Sequence, residues 1–386
     1  MSNNFTLHLL RIRLRFRLRL RLKSSVREKI LVMEEKDVNI KQKIQQNLLE
    51  WFAKNKRDLP WRKTKDGYKI WVSEIMLQQT RVDTVIEYYN RFIDRFPTVK
   101  ELAQAEEQEV LKYWQGLGYY SRARNLYKGA KMVWEKYGGI LPDNMEQIKK
   151  IPGIGPYTAG AILSIAYNLP YPAVDGNVLR VFSRILDIKE DIAQPGTVRY
   201  IQDKVKEYIP SGYASEFTES LMELGALICT PISPLCLVCP LYHQCAARQK
   251  GIQEKLPIKS KKVKPKRMHM VFCVIRSEEK ILLIKNASNG LVGGMWGFMG
   301  KEGHPSQDDQ TLKLMLDDLN IPVQHVQKLG TVRHIFTHMD WDMHLYMCEA
   351  LYQGHIGQEH EWVGKEEIEN YPLPKVYQKI WEKIEW

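Results

Sequence analysis

The chain has 386 residues, 44% of them hydrophobic and 26% charged, with a formal net charge of +12. That length exceeds one ordinary core, so two domains are expected, and the hydrophobic content argues for a globular, soluble protein. The positive charge hints at nucleic acid as a partner, and no apolar run is long enough to span a membrane.

The charge is unevenly spread. Residues 1–29 hold nine Lys/Arg and one Glu, which is +8 of the +12 and leaves a mildly basic body at +4. Its source is Arg11-Ile-Arg-Leu-Arg-Phe-Arg-Leu-Arg-Leu-Arg-Leu22, whose period of two cannot make the one-sided helix of a transit peptide. Residues 1–32 are therefore read as a disordered extension translated from an upstream start, with Met33 as the natural beginning. An adventitious nucleic-acid-binding arm is the second reading.

From about Lys41 to Gln249 the texture is helical, which predicts a helical domain over residues 38–250. Val82, Val85, Ile86, Tyr89, Phe92, Ile93 and Phe96 fall on one face at steps of three and four, and Pro97 stops the run. Just before it, Trp71-Val-Ser-Glu-Ile-Met-Leu-Gln-Gln-Thr80 sets Glu74 among large apolar residues. Burial there would raise its pKa and keep a proton for a leaving group, although a helical Glu more commonly faces solvent. Gly116-Leu-Gly-Tyr-Tyr120 is a glycine turn with bulky side chains, which reads as a wedge for the base stack or as core packing at Leu117 and Tyr120.

Ile151-Pro-Gly-Ile-Gly-Pro156 followed by Thr158-Ala-Gly-Ala-Ile-Leu-Ser-Ile165 predicts a helix–hairpin–helix over residues 147–166. Gly153 and Gly155 would let backbone N–H groups approach a phosphate, whereas a hairpin standing alone would be a plain helical corner. Twenty residues on, Val174-Asp-Gly-Asn-Val178 places Asp175 where a helix N-cap would lie. Capping is the bland role; an anion at a helix N-terminus and facing a sugar also suits an oxocarbenium-like transition state.

Cys229, Cys236, Cys239 and Cys245 are separated by six, two and five residues among Pro231, Pro234 and Pro240. One compact knot of four thiols fits an iron–sulfur cluster better than zinc, whose structural sites take two short hairpins divided by a long loop. Cys273 and Cys348 sit alone in apolar runs and read as packing residues. Lys255 to Arg267 holds seven Lys/Arg and two prolines, a linker composition, placed at residues 251–265. Beyond it the texture is α+β over residues 266–370. Met268–Arg276 and Ile281–Lys285 flank the turn Ser277-Glu-Glu-Lys280, Asp308–Leu319 reads as a helix, Met343–Leu351 as a strand, and 371–386 as a C-terminal helix or tail.

Hairpin, downstream Asp and cysteine knot together resemble the endonuclease III (helix–hairpin–helix-GPD) superfamily of DNA glycosylases. Ser73–Thr80, Gly116–Tyr120 and Val174–Asn177 look like its adenine glycosylase branch, the MutY family, and the match runs from Leu48 to the C-terminus. The resemblance implies a mainly α glycosylase domain with one [4Fe–4S] cluster on the four cysteines, and an α+β Nudix-like second domain. It implies adenine release from adenine:8-oxoguanine or adenine:guanine mispairs in double-stranded DNA, by a cytoplasmic, bacterial-type base-excision-repair enzyme acting as a monomer. Bifunctional members carry a lysine where this chain has Tyr157, so hydrolysis without strand cleavage is implied.

In the implied mechanism Glu74 protonates the flipped adenine at N7 and helps activate water. Asp175 stabilises the sugar cation electrostatically or through a transient covalent bond, and Tyr157 and Asn177 orient the two acids. Trp61, Arg62, Gln79, Thr80, Leu117, Gly118 and Tyr119 match positions used around the lesion, and Gly153 and Gly155 those of the hairpin. Phe336-Thr-His338 matches a Phe-Ser-His loop that reads 8-oxoguanine, with Thr337 keeping the hydroxyl and adding a methyl. The segment after Gly300 lacks the acidic series of a Nudix pyrophosphatase, which argues against nucleotide hydrolysis. The remaining rivals are an endonuclease III-like pyrimidine glycosylase with lyase activity, which Lys at 157 would have favoured, and a non-catalytic DNA-binding iron–sulfur protein, which loss of Glu74 or Asp175 would have favoured.

Overall fold

A computed structural model of the chain describes residues 24–260, 265–287, 291–319, 321–353 and 359–385. The Arg/Leu tract, residues 261–264 of the expected linker and Gly290 lie outside the described residues. Of the expected extension, the part from Ser24 onward is helical backbone.

The helices run α1 Ser24–Asn55, α2 Gly67–Leu77, α3 Val82–Arg95, α4 Val99–Gln104, α5 Glu107–Trp114, α6 Ser121–Tyr137, α7 Met145–Ile148, α8 Pro156–Ile165, α9 Gly176–Ile185, α10 Pro195–Tyr208, α11 Ala214–Leu227 and α12 Ala246–Gln249. There follow β1 Lys266–Ser277, β2 Lys280–Lys285, β3 Trp296–Gly297, β4 Met299–Glu302, α13 Asp308–Leu319, β5 Val323–Ile335, β6 Met339–Ala350, β7 His360–Gly364 and α14 Lys375–Trp381. No helix among the described residues is long and apolar enough to cross a membrane.

Two compact units result, one from the residues up to Arg57 with Leu163–Lys259, the other from Asp58–Ile162 with Ser260–Trp386. In the first, α9 turns Val178, Val181, Phe182 and Ile185 inward against Ile44 and Leu48 of α1 and Phe217, Leu221 and Leu224 of α11. Glu223 of α11, 1% exposed, accepts hydrogen bonds from the backbone N–H and guanidinium of Arg57, so a buried carboxylate fixes the end of the α1 segment.

In the second unit the predicted amphipathic helix is α3, closed by the Phe96 N–H on the Phe92 carbonyl. Phe92 packs edge-on to Trp114 of α5 at 5.9 Å between ring centroids. The sheet has the order β3-β2-β1-β6-β5, with β4 added on β1 and β7 on β2. β1 and β2 form the expected antiparallel hairpin around Glu278-Glu279, while β1 and β6 run parallel. One face buries Phe272, Val274, Met343 and Leu345 under Val376, Tyr377 and Ile380, so α14 belongs to the core of this sheet. The other face carries Val271, Ile275 and Tyr346 beneath Leu312 and Met315 of α13. Cys273 and Cys348 are buried there as expected, yet not singly: they stand on neighbouring strands with their sulfurs 3.0 Å apart.

β5 escapes the sequence pattern because it is an edge strand whose residues are largely exposed. On it, His334 is half-buried, its Nδ1 has no hydrogen-bond partner among the described residues, and its ring lies 4.5 Å from that of Phe336. Burial, with help from the Lys379 and Lys375 cations, pulls its pKa from 6.5 down to about 4. A depressed folded-state pKa makes this contribution whole above the unfolded value near 6.5, and lost as pH falls to about 4. The urea-unfolding midpoint should therefore decline from pH 6.5 to 4 with a shallower slope in His334→Phe; parallel slopes would show that His334 plays no part.

Candidate active site

In the second unit, α2 is N-capped by Asp66, whose side chain accepts from the Tyr68 N–H at 2.8 Å. It then carries an unbroken buried stretch from Ile70 to Met76 in which Glu74 is 5% exposed. Glu74 thus takes the rarer, buried alternative. The Tyr157 hydroxyl donates to Glu74 Oε2 at 2.7 Å. Tyr157 is the second residue of α8, and Pro156 ahead of it supplies the fixed φ that a first helical turn accepts. The preceding turn needs Gly153 at φ +81°, and a Cβ there would sit 3.0 Å from that of Asn125. A Cβ on exposed Gly155 would meet nothing within 4 Å, which leaves this backbone approachable. Gln78 donates to the Thr158 hydroxyl at 3.4 Å, a second link between the end of α2 and the hairpin helix.

Arg122, a residue no sequence motif singled out, organises the neighbouring loops. Its guanidinium donates to the carbonyls of Ile75, Met76 and Gln78, to the Thr80 hydroxyl, and to the carbonyls of Leu117 and Gly118. The C-terminal end of the Glu74 helix, the Gln-Gln-Thr turn and the Gly-Leu-Gly turn are thereby held on one cation, whose pKa burial lowers to about 10. Both turns need left-handed backbone, at Gln79 (φ +60°), Gly118 (φ +72°) and Tyr119 (φ +51°). Gln79 and Tyr119 project outward, whereas Leu117 and Tyr120 are buried, as the packing alternative had it. Trp61 is buried edge-on to Tyr89, and Arg62 beside it is half-buried.

The Phe336–His338 turn joins β5 to β6 and closes with the Phe336 N–H on the Met339 carbonyl. Phe336 packs on Trp341 at 4.8 Å, His338 is exposed, and the Thr337 and Tyr119 hydroxyls are 3.0 Å apart. The hydroxyl retained at 337 thus links this turn to the Gly-Leu-Gly-Tyr turn.

In the first unit, Asp175 is the N-cap of α9: Oδ1 accepts from the Val178 N–H and Oδ2 from the Asn177 side chain, both at 2.8 Å. Asn177 Oδ1 in turn accepts from Arg180, whose guanidinium also reaches the carbonyls of Gly225 and Cys229. Gly225 is required here, because a Cβ would fall 2.7 Å from that of Asn177. A continuous hydrogen-bonded path therefore runs from the Asp175 carboxylate to the backbone of the first cysteine.

The four cysteines line one small cavity with Arg184, Ile228, Tyr242 and Arg248. Arg184, 1% exposed, donates to Cys229 Sγ at 3.3 Å and to the Thr230 and Pro231 carbonyls. Burial pushes the Cys239 thiol up to about 12 and raises Cys236 and Cys245 as well, so bare thiols there stay protonated. A bound metal centre would displace those protons, and the buried guanidinium suits an anionic thiolate set. The loop between its first two cysteines exposes Ile232 and Leu235 and carries no cation.

Residues 72–208 match the HhH-GPD superfamily base excision DNA repair protein pattern, and residues 270–383 match the NUDIX domain. The chain is 35% identical over 357 residues to the adenine DNA glycosylase of Rattus norvegicus, which covers 78% of this chain and 69% of the relative. It is 33% identical over 344 residues to that of Buchnera aphidicola from Acyrthosiphon pisum, covering 88% of this chain and 97% of the relative. Among solved structures, a thermostable thymine-DNA glycosylase superposes with a TM-score of 0.50 at 26% identity, over 55% of this chain and 99% of its own.

Proposed function

The chain belongs to the adenine DNA glycosylases of base excision repair, and from that premise we propose that it hydrolyses the N-glycosidic bond of adenine mispaired with 8-oxoguanine or guanine, without cutting the strand. The observation that carries this reading is the buried Glu74 carboxyl held by the Tyr157 hydroxyl. A carboxyl shielded from water can hold a proton for the departing base. Tyr157 keeps it in one rotamer, and a phenol at that position cannot form the imine through which a lyase breaks the sugar.

Asp175 supplies the negative charge that an oxocarbenium-like sugar needs, oriented by Asn177. Arg122 acts as a positioning residue for Gln79, Thr80, Gly118 and Tyr119, which with Trp61, Arg62, Gly153 and Gly155 are assigned to the duplex, while Leu117 packs beneath its turn. Phe336, Thr337 and His338 are assigned to the base opposite adenine, supported by the Tyr119–Thr337 hydroxyl pair. Cys229, Cys236, Cys239 and Cys245 would hold one [4Fe–4S] cluster, supported by their lining one cavity and by the buried Arg184 that donates to Cys229 Sγ. The Cys229–Cys245 segment would be braced by such a cluster, and its Cys229 carbonyl already accepts from Arg180.

A duplex with one adenine opposite 8-oxoguanine, guanine or thymine tests this reading. Adenine should be released from the first two and spared in the third, with strand breaks appearing only after alkali. Breaks without alkali would exclude the hydrolytic mechanism, and intact adenine in all three would exclude the substrate.

A further inference from the structure

We propose that His269, Asp308 and His344 form a binding site for a zinc-class divalent cation in the Nudix-like domain, separate from the cysteine knot. One ligand atom from each residue lies within 4.8 Å of the other two, a spacing that could hold a metal ion. Three elements supply them: β1, the first residue of α13, and β6. His344 stands in register with Val271 on the neighbouring parallel strand, so His269, two residues before Val271, shares its face of the sheet. That face is the one covered by α13, and Asp308 closes over the two imidazoles from the first turn of the helix.

The contacts are convergent. His269 Nε2 lies 2.6 Å from Asp308 Oδ1 and His344 Nδ1 2.7 Å from Oδ2, with the imidazole centroids 4.3 Å apart. The Tyr346 hydroxyl donates to Asp308 Oδ2 at 2.7 Å, the kind of outer hydrogen bond that orients a ligating carboxylate. The three ligand side chains are 10%, 11% and 20% exposed for His269, Asp308 and His344, which is sheltered yet open to an entering ion.

Without a metal, the trio is a satisfied hydrogen-bond network, and an Asp bridging two His side chains needs no ion to persist. Two features favour a cation. Two imidazoles and one carboxylate are the donor set of open three-ligand zinc and iron(II) sites, whereas magnesium and calcium take oxygen ligands. The nitrogens and oxygens also need only part by roughly 0.7 Å to surround a tetrahedral ion with bonds of ~2.0–2.1 Å. On binding, each ring nitrogen that faces Asp308 gives up its proton, to the other ring nitrogen or to solvent, and coordinates through the freed lone pair. The acidic series of a Nudix pyrophosphatase is not involved. The ion would pin the start of α13 to two strands and keep its remaining positions for water.

The test uses the full-length, cluster-loaded protein, stripped of loosely held metal with a chelator and titrated with Co2+ and with Zn2+. One equivalent of Co2+ should bind with weak d–d absorption and without the thiolate charge-transfer bands that binding at the cysteine knot would give. X-ray absorption of the zinc form should show a nitrogen/oxygen shell without sulfur, a measurement that needs no variant. His269→Gln and His344→Gln should each abolish this equivalent, and Tyr346→Phe should weaken it by roughly 10- to 100-fold. No binding at micromolar Co2+ or Zn2+, a sulfur shell, or an equivalent unchanged in both histidine variants would each overturn the site.

Discussion

Glu74→Gln should stop adenine release, with the single-turnover rate falling by at least ~10³, while the mispaired duplex still binds. The side chains are nearly isosteric, and a glutamine carbonyl can accept the Tyr157 hydroxyl in place of Oε2, so neither the packing of α2 nor the hairpin contact needs to change. What disappears is the proton. Glu74 lies within an unbroken buried stretch of its helix, where water has little access to replace the missing acid. Gel-shift affinity for adenine opposite 8-oxoguanine and single-turnover cleavage, measured on the same preparation, separate the two roles. Equal losses of binding and rate would make Glu74 a structural residue and remove the proposed acid.

The parts readable from sequence were those written in local spacing. Asp308–Leu319 is a helix with the expected ends. Val82–Arg95 stops at Phe96 before Pro97, and the β1–β2 hairpin turns where its Glu-Glu pair lies. Asp175 caps its helix because a carboxylate three residues before a run of helical apolar positions has its N–H partners within one turn. Glu74 was half-readable: its apolar flanks predict burial, but the hydroxyl that holds it comes from Tyr157, 83 residues away.

Arg122 gave no signal at all, because its role depends on carbonyls from two turns that meet only in the fold. The same holds for Arg180, which reads as a solvated helical cation until α11 presents Gly225. His269, Asp308 and His344 are dispersed over 76 residues and share no motif; parallel pairing of β1 with β6 brings them together, and parallel register leaves no trace in a single sequence. The grouping of Leu163–Lys259 with the residues up to Arg57 is likewise a product of long-range packing between α1 and α11. A pattern that is continuous in helical texture from Lys41 to Gln249 offers no break at which to place that division.

Asp175 unites two functions that substitution can separate. As a cap, it accepts the Val178 N–H through one oxygen; as the proposed cation stabiliser, it must bring a full negative charge. Asn is as good a cap as Asp, so Asp175→Asn should leave thermal stability nearly unchanged and lower the rate of adenine release by about 10³-fold or more. Asp175→Ala loses both roles and should add about 1 kcal/mol of destabilisation from the uncapped helix. Its effect on rate should be no smaller than that of the Asn variant. The comparison is decisive because the two outcomes depend on different properties of one side chain. If Asp175→Asn retained a tenth of the wild-type rate, the charge would not be what the reaction uses, and Asp175 would be left with the cap and the bond to Asn177 alone.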